Sequence, residues 1–338
     1  MLRRNAWVRW LVVALFISVT AHPAGGYSDA TVLASGPAML QPRKLVVGTT
    51  PRSYQLYVPK GVRHEPGPVM VVLHGAGGSG ATMHPYFGAG SVADRSGFAV
   101  AYPDGVNGQW NDGRPPSLRY LPQLQDVDDV GFIAAVVEDL IASRIADPRR
   151  VYIVGLSNGG GMALRIACDR PDGVAGFGFI AAPAGDLVIN ACRGGRPLPM
   201  LFIHGTKDRT IPYAGGPIQR SAKDRLLSAP EHAAFWARRN GCLDTTADSE
   251  LPDLDPADRT RVRRSIYQSC PIGAPVQLLT IEGGGHQSPI AKLDAASGAN
   301  MGMLGSRSHD IDATEAMWMF FKSVAPAGGV ASGVSERR

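Results

Sequence analysis

Ser157 lies at the centre of a Gly-x-Ser-x-Gly turn. The apolar residues 151–154 before the turn are typical of a buried strand, and residues 162–167 after it have the composition of a helix. Such a turn between strand and helix presents the serine hydroxyl in an exposed position. Gly155 and Gly159 have no Cβ, so the strand and the helix can approach closely. The pattern predicts a nucleophilic serine, although short matches of this kind also occur in ordinary glycine turns.

A serine hydroxyl needs a general base to become a nucleophile, and the base needs an orienting acid. After this kind of turn, the acid and then the histidine follow the serine along the chain. Asp208 follows an apolar strand at 199–203, and His286 follows another at 276–281 after three glycines. Catalytic groups collect beyond the carboxyl ends of strands in open parallel sheets. We therefore predict that Ser157, His286 and Asp208 form a catalytic triad.

Other acids and histidines fit these two roles less well. Asp186 and Asp224 lie between the serine and the chosen histidine, but neither follows an apolar strand. His309 is a rival base, and it also follows no strand. The alternative for the chosen pair is that both residues are ordinary solvated loop positions. Their order and their place after strands favour the catalytic interpretation.

Acyl transfer also requires hydrogen-bond donors for the developing oxyanion. Asn158, directly after the serine, supplies one backbone N–H at a helix start, where the helix dipole is favourable. The segment Leu73-His-Gly-Ala-Gly-Gly78 follows an early apolar strand and can supply the second donor, from Ala76. We interpret His74 as a residue that holds this loop rather than as a catalytic group.

Trp110 lies in the segment Gln109-Trp-Asn-Asp112, after an apolar strand at 97–102. Aromatic side chains commonly line pockets for small molecules. We predict that Trp110 is a substrate-binding residue that forms a wall of the acyl pocket. A tryptophan packed beneath a loop is the alternative.

Residues 1–21 have the features of an export signal. Three arginines come first, and the uncharged, mostly apolar run from Trp10 to Ala21 is too short to cross a bilayer comfortably. Small residues precede His22, where we expect the mature chain to begin. We therefore expect a secreted or periplasmic protein without stable membrane association after cleavage. An uncleaved anchor is the alternative.

The charge balance excludes some partners. Removal of residues 1–21 takes away three arginines and no acidic residue, so the formal net charge falls from +5 to +2. A basic stripe, which is typical of nucleic-acid-binding proteins, is absent from the rest of the sequence. We expect no nucleic-acid partner, and the predicted chemistry requires neither a metal nor an organic cofactor.

Four cysteines occur in the chain, and an even number in an exported protein favours disulfides. Four cysteines allow three pairings, and we favour the sequential pairs Cys168–Cys192 and Cys242–Cys270. Each would close a moderate loop and contribute on the order of 3 kcal/mol. Four reduced, buried thiols are the alternative. The sequence has no Cys-x-x-Cys spacing that would indicate zinc or redox chemistry.

Alternating strand and helix signals predict an α/β fold with a mostly parallel central sheet and helices on both faces. The predicted strands are 54–58, 68–73, 97–102, 151–154, 174–182, 199–203 and 276–281, and the predicted helices are 130–145, 162–167, 221–239 and 310–323. Pro230 predicts a break in the third of these helices, and the polar residues 244–264 predict an exposed excursion.

The chain is divided into four parts on this basis, with no sign of an internal repeat or a second domain. These are a signal peptide at 1–21, a flexible lead-in at 22–45, one α/β-hydrolase domain at 46–324 and a flexible tail at 325–338.

Over roughly residues 50–324, the chain resembles the secreted α/β-hydrolase esterases grouped with polyhydroxybutyrate depolymerases and feruloyl esterases. The matching motifs are Tyr54-Gln-Leu-Tyr-Val-Pro59, Leu73-His-Gly75, Gly97-Phe-Ala-Val-Ala-Tyr-Pro-Asp-Gly105, Asp128-Asp-Val-Gly-Phe132, Gly155-Leu-Ser-Asn-Gly-Gly160, His204-Gly-Thr-Lys-Asp208, Ile211-Pro-Tyr-Ala-Gly-Gly216, Gly283-Gly-Gly-His286 and Trp318-Met-Phe-Phe321. The resemblance implies the α/β-hydrolase fold, export, the triad named above and disulfides compatible with the sequential pairs.

We therefore expect a serine carboxylesterase that works through an acyl-enzyme on small-molecule or polymeric esters. Candidate substrates are polyhydroxyalkanoate oligomers, feruloyl or acetyl esters of polysaccharides, and short aryl esters. The chain departs from the family after His286, where Gln287-Ser-Pro289 and a Gly/Ala/Met-rich stretch to about Arg307 replace an aromatic-containing run. This departure concerns the substrate and not the chemistry. A peptidase and a non-catalytic polymer-binding protein, both on the same fold, are the alternatives.

Overall fold

The computed structural model describes residues 40–59, 65–114, 127–192, 195–217, 225–290 and 302–324. The predicted signal peptide, the greater part of the predicted lead-in and the predicted tail lie outside these residues. Of the helices in the described ranges, none combines the length and the apolar character needed to cross a bilayer.

Twelve strands occur in the described residues, and ten of them form one sheet. The strands are β1 (Leu40–Val47), β2 (Thr50–Tyr57), β3 (Gly67–Leu73), β4 (Ala99–Pro103), β5 (Ala146–Leu156), β6 (Gly176–Ile180), β7 (Met200–Gly205), β8 (Gly216–Pro217), β9 (Arg225–Leu226), β10 (Thr246–Glu250), β11 (Arg261–Tyr267) and β12 (Val276–Glu282). The large sheet has the order β1-β2-β4-β3-β5-β6-β7-β12-β11-β10, and β8 pairs with β9.

The centre of the large sheet is parallel and its edges are antiparallel. The six strands from β4 through β12 in the sheet order run parallel to one another. At one edge β1 and β2 are antiparallel, and at the other edge β11 and β10 are antiparallel. The carboxyl ends of the central strands therefore meet along one side, where catalytic groups collect in sheets of this type.

Seven helices cover the two faces of the sheet in the described ranges. They are α1 (Gly80–Phe87), α2 (Ala89–Ser96), α3 (Asp129–Ala142), α4 (Asn158–Asp169), α5 (Asp186–Ala191), α6 (Ala229–Asn240) and α7 (Ala313–Lys322). Buried residues of α3, α4 and α6 share one apolar cluster, and those of α1, α2 and α7 share another. Val69 and Val71 of β3 belong to the first cluster and Met70 to the second, because successive strand side chains point to opposite faces. The predicted α/β fold is therefore confirmed.

The predicted boundary of the lead-in is wrong, because β1 begins at Leu40 and pairs along its whole length with β2. β1 is an edge strand whose residues alternate between half-buried and exposed positions. Such a strand carries few fully apolar positions, and Pro42 weakened the signal further. The ordered domain therefore begins by residue 40 and not at residue 46.

The polar residues 244–264 are not the excursion predicted from the sequence, because β10 and the start of β11 lie within them. β10 is almost entirely exposed, since it is the last strand of the sheet. An edge strand that faces water needs no apolar alternation, and charged residues there discourage pairing with other chains. The hydrophobic pattern therefore gave no strand signal in this segment.

The helix predicted at 221–239 is shorter than expected. Residues 225–226 form β9, and α6 begins only at Ala229. The Ser228 side chain accepts a hydrogen bond from the Glu231 backbone N–H, and the Glu231 side chain accepts one from the Ser228 backbone N–H. The pair therefore forms a capping box at the start of α6. Pro230 therefore lies in the first turn of the helix rather than at a break, a position where its missing N–H costs nothing.

The structure contains the two disulfides favoured from the sequence. Cys168 of α4 is bonded to Cys192, directly after α5. Cys242, just beyond α6, is bonded to Cys270, just beyond β11. Both bonds tie helices on one face of the sheet to neighbouring loops, and no free cysteine remains among the described residues.

One histidine of α6 is buried in the apolar cluster between helix and sheet. His232 packs against the rings of Phe179 and Phe202, with centroids 5.3 and 4.7 Å away. Its Nε2 atom has no hydrogen-bond partner among the described residues. Burial, with a smaller contribution from His204, lowers the pKa of His232 to about 3. The folded protein therefore holds this ring neutral.

This buried ring predicts a pH-dependent loss of stability. An unfolded chain protonates the histidine below about pH 6.5, whereas the folded chain does not. Because the folded pKa is depressed, the stabilisation is complete above pH 6.5 and is lost as pH falls towards 3, at about 1.4 kcal/mol per pH unit. His232→Phe is expected to reduce the slope by that amount between pH 6 and 4, measured by urea unfolding. Equal slopes for the variant and the wild type would contradict the assignment.

Candidate active site

The predicted nucleophile lies on a sharp turn between β5 and α4. Ser157 has φ 53° and ψ −121°, a backbone conformation that non-glycine residues rarely adopt. Strain of this kind persists only where the surrounding structure enforces it, and it is common at functional sites. The turn therefore has the geometry expected of a nucleophile elbow.

Two glycines enforce this turn. A Cβ atom at Gly155 would overlap the carbonyl oxygen of Gly159, and a Cβ atom at Gly159 would overlap the carbonyl oxygen of Leu73. The obstructing atoms are all backbone, so they cannot move aside as a flexible side chain does. Strand β5, helix α4 and the end of β3 therefore converge around the serine only because neither position carries a side chain.

The three residues predicted as a triad lie in one hydrogen-bonded chain. His286 Nε2 lies 2.8 Å from Ser157 Oγ, and His286 Nδ1 lies 2.6 Å from Asp208 Oδ2. Since the carboxylate can only accept, Nδ1 carries the proton. In a neutral ring Nε2 is then an acceptor and receives the serine hydroxyl. The arrangement can remove the proton from Ser157 as its oxygen attacks a carbonyl.

Asp208 accepts several hydrogen bonds in a buried position. Its Oδ1 atom accepts from the N–H groups of Thr210 and Ile211, each at 2.8 Å. Its Oδ2 atom faces His286 Nδ1, and His204 Nε2 lies 3.3 Å from the same oxygen. Burial alone raises the pKa of this carboxyl, but the hydrogen bonds from both histidines and from Ile211 outweigh it and hold the pKa well below its usual range. The carboxylate is therefore ionised at neutral pH.

The loop that carries His286 is held by the segment that follows it. The backbone N–H of His286 donates to Leu304 O at 2.6 Å, and Gly285 N–H donates to Ser306 O at 2.8 Å. A Cβ atom at Gly285 would overlap Leu304 O, so the close approach requires glycine. Arg307 donates to Ser288 O at 2.7 Å. The unusual stretch after the histidine therefore supports the histidine loop, although its residues 291–301 lie outside the described ranges.

The two predicted oxyanion donors lie on elements that meet at the serine. Asn158 opens α4, where the first N–H groups of a helix have no acceptor within the helix. The loop after β3 carries Ala76, and a Cβ atom built at Gly75 would lie 3.5 Å from Ser157 Cβ. The loop therefore runs beside the nucleophile, as the predicted role of Ala76 requires.

Trp110 is not the wall of the acyl pocket that the sequence suggested. Its side chain is 1% exposed, and its Nε1–H donates to the carbonyl oxygen of His74 at 2.9 Å. An indole can pack under a loop whenever its single N–H finds a buried acceptor. Trp110 therefore lies beneath the loop of Ala76 and cannot touch substrate there.

His74 is buried and holds its own loop, as interpreted from the sequence. Its Nε2 atom accepts from Gly105 N–H at 2.9 Å, and its Nδ1 atom donates to Gly75 O at 2.8 Å. Burial lowers the pKa of His74, so the ring is neutral. Both ring nitrogens are therefore engaged in structure.

The rival base His309 lies in a separate cluster. Its Nδ1 atom donates to Asp255 Oδ2 at 2.8 Å, and its backbone N–H donates to Asp258 Oδ2. Within the described ranges these three residues are the one group of side chains whose ligand atoms lie close enough for a metal ion. The same carboxylates already accept hydrogen bonds from backbone N–H groups, so the cluster is explained as a loop support.

A groove with a volume of about 1280 Å³ lies between α2, α7 and β12. None of the three predicted triad residues lines this groove. The candidate site is therefore identified by its hydrogen-bonded chain and by the strained turn, and not by this groove.

One histidine of the site was not singled out from the sequence. His204, at the end of β7, is buried, and its Nε2–H is shared between Ile211 O at 2.8 Å and Asp208 Oδ2 at 3.3 Å. The available signal was a histidine in an otherwise apolar strand, four residues before the predicted acid. Sequence spacing alone does not reveal that its ring turns towards that acid.

Comparison with known proteins supports a single family. The family model for "Esterase PHB depolymerase" matches residues 52–192. The protein named "Putative esterase NocK", from Nocardia uniformis subsp. tsuyamanensis, is 32% identical over 292 residues, which cover 82% of this chain and 79% of that protein. Feruloyl esterase C of Emericella nidulans is 31% identical over 247 residues, which cover 71% of this chain and 78% of that enzyme.

Two further matches are weaker: one covers less than half of the relative, and the other has a much lower sequence identity. Feruloyl esterase B of Piromyces equi is 28% identical over 234 residues, and the match covers 67% of this chain but only 40% of that enzyme. The solved structure of an acetyl xylan esterase from Aspergillus awamori has a TM-score of 0.54 at 17% identity and covers 74% of this chain and 95% of that chain. This structural likeness concerns the fold alone. On the identities above, the chain belongs to the esterase family of polyhydroxybutyrate depolymerases and feruloyl esterases and is a carboxylic ester hydrolase of the α/β-hydrolase fold.

Proposed function

We propose that the chain hydrolyses carboxylic esters through an acyl-enzyme on Ser157. The observation that carries this proposal is the hydrogen-bonded chain from Ser157 through His286 to Asp208, on a strained turn at the carboxyl ends of the central strands. Nucleophile, base and orienting acid are the three groups that acyl transfer on a serine requires.

In the first half of the reaction, Ser157 Oγ attacks the ester carbonyl carbon and its proton passes to His286 Nε2. The carbonyl oxygen becomes an oxyanion, which the N–H groups of Asn158 and Ala76 stabilise. The C–O bond to the alcohol then breaks, and His286 gives its proton to the leaving alcohol. Asp208 keeps the ring in the required tautomer and stabilises its charged form.

In the second half, a water molecule attacks the acyl carbon and gives a proton to His286 Nε2. The second tetrahedral intermediate collapses, the carboxylic acid leaves, and Ser157 Oγ regains its proton from His286. Every step uses the same three side chains, and none requires a metal ion or an organic cofactor.

The proposed substrates are esters of the kinds that the relatives' names describe. Feruloyl esters and hydroxybutyrate oligomers, which those names describe, are the first candidates. Acetyl esters of polysaccharides and short aryl esters are further candidates, on the resemblance found in the sequence. We also propose that the protein acts outside the cytoplasm. Two disulfides support this location, because such bonds persist in oxidising compartments.

A substrate panel tests both the activity and its preference. Purified protein is assayed with p-nitrophenyl acetate, p-nitrophenyl butyrate, methyl ferulate and a 3-hydroxybutyrate trimer, each beside Ser157→Ala. At least one ester is expected to be hydrolysed with kcat of about 1 s⁻¹ or more. The substitution is expected to lower kcat by at least about 10⁴-fold, since nothing else in the site can form the acyl-enzyme. Hydrolysis that survives Ser157→Ala would exclude the mechanism, and inactivity towards every ester would exclude these substrate classes.

A further inference from the structure

We propose that Trp110 is a positioning residue that holds the two oxyanion donors, the N–H groups of Asn158 and Ala76, in a fixed relation to each other. The inference rests on the proposed function, because these donors matter only if Ser157 forms a tetrahedral intermediate. Trp110 belongs to residues 104–112, which we call the bridging loop. This loop contacts both elements that carry the donors.

On one side, the bridging loop holds the first residue of α4. Trp110 N–H donates to Asn158 Oδ1 at 2.8 Å, and Asn158 Nδ2 donates to Trp110 O at 3.2 Å. The same Nδ2 donates to Asp112 Oδ2 at 2.8 Å. All three side chains are buried, and hydrogen bonds shielded from water are stronger than exposed ones. These bonds from the bridging loop therefore fix the position of Asn158 and, with it, the direction of its backbone N–H.

On the other side, the bridging loop holds the loop that carries Ala76. Trp110 Nε1–H donates to His74 O at 2.9 Å, and the two rings lie with centroids 4.8 Å apart. Gly105 N–H donates to His74 Nε2, and Gly77 N–H donates to Gly108 O at 2.8 Å. Three hydrogen bonds and one ring contact therefore join the two loops.

The contact with His74 reaches the donor of Ala76 through one peptide plane. His74 Nδ1–H donates to Gly75 O at 2.8 Å. The peptide between Gly75 and Ala76 is planar and trans, so fixing its carbonyl oxygen also fixes the direction of the Ala76 N–H. Trp110 packs on the ring that makes this bond. One indole therefore supports both donors, and oxyanion stabilisation depends on donors that are already in place before the charge develops.

Trp236 offers a matched comparison within the same apolar cluster. It is also 1% exposed, but its Nε1 atom has no hydrogen-bond partner among the described residues. Replacement of either tryptophan by phenylalanine removes similar buried volume and one indole N–H. Only the substitution at Trp110 removes a hydrogen bond to the oxyanion loop. A difference between the two variants therefore reports on positioning rather than on packing.

The test compares Trp110→Phe and Trp236→Phe with p-nitrophenyl acetate, with rates expressed per active site titrated by a fluorophosphonate. Trp110→Phe is expected to lower kcat by about 10- to 100-fold, less than loss of a whole donor, with KM within about twofold. Trp236→Phe is expected to leave kcat within about twofold. The affinity for phenylboronic acid, which forms a tetrahedral adduct on a nucleophilic serine, is expected to fall with kcat in the Trp110 variant alone.

A second variant covers the case in which Trp110→Phe does not fold. Asn158→Ala keeps the backbone N–H but removes the side-chain bonds to the bridging loop, and it is expected to lower kcat per titrated site by a similar factor. The double variant, which combines Trp110→Phe with Asn158→Ala, is expected to have a kcat per titrated site no lower than that of the less active single variant, because the two residues act as a unit. Equal rates per site in the Trp110 and Trp236 variants, additive losses, or an effect on KM alone would overturn the inference. Inactivity of the wild type would instead contradict the proposed function.

Discussion

Asp208→Asn is expected to lower kcat by about 10⁴-fold while the protein stays folded. Oδ1 of Asp208 accepts two backbone N–H groups, which cannot reverse their direction. The asparagine oxygen therefore takes that place, and its NH₂ group faces His286 Nδ1. The ring must then accept at Nδ1 and carry its proton on Nε2, so it can no longer take the proton of Ser157. Stopped assays with the best ester of the panel, together with circular dichroism, measure the two effects.

The chain offers a matched control for this substitution. Asp255 also accepts from a histidine, because His309 Nδ1 lies 2.8 Å from Asp255 Oδ2, but this pair lies in the separate acidic cluster. Asp255→Asn is expected to leave kcat within about twofold, because this pair lies outside the candidate triad and exposed ion pairs contribute little to the stability of the fold. A similar loss in both variants would show that Asp208 has no special role. A large loss at Asp255 alone would favour His309 as the base.

Gly155→Ala is expected to lower kcat by at least about 100-fold and to destabilise the fold by about 1–3 kcal/mol. The added methyl group would overlap Gly159 O, which is backbone and belongs to the first turn of α4. The strand and the helix must separate, and a displacement of about 1 Å at Ser157 Oγ is enough for such a loss. Kinetics per folded molecule and urea unfolding measure the two quantities.

Gly90→Ala in α2 serves as the control for the added methyl group. A Cβ atom there would lie 3.4 Å from the ring of Tyr57, an ordinary contact. We expect unchanged kcat and a stability equal to the wild type or higher by up to about 1 kcal/mol, because alanine favours the helix. Gly155→Ala with wild-type kcat would mean that the close approach at the elbow is not required for the reaction.

The residues of the candidate triad could be found from the sequence because the strand before each of them has a clear apolar pattern. Ser157, Asp208 and His286 each follow a buried strand, and central parallel strands are apolar on both faces. The strand runs and the order of the three residues therefore carried the information. The sequential pairing of the four cysteines also agreed with the structure.

The remaining features could not be read in the same way. Strands β1, β10 and β11 lie at or next to the sheet edges, where water replaces one packing partner and the apolar pattern disappears. Trp110 looked like a pocket wall, because composition does not distinguish an aromatic ring that faces a ligand from one that faces a loop. His204 turns towards Asp208 only because the chain bends after β7. These are properties of the tertiary structure, and local spacing does not encode them.

Covalent labelling of Ser157 tests the central claim most directly. The purified protein is incubated with a fluorophosphonate, and the adduct is located by intact-protein and peptide mass spectrometry. One adduct per molecule on the peptide that contains Ser157, absent from Ser157→Ala and slowed in Asp208→Asn, is the expected result. An unlabelled wild type that still hydrolyses esters, or an adduct that persists in Ser157→Ala, would contradict the account.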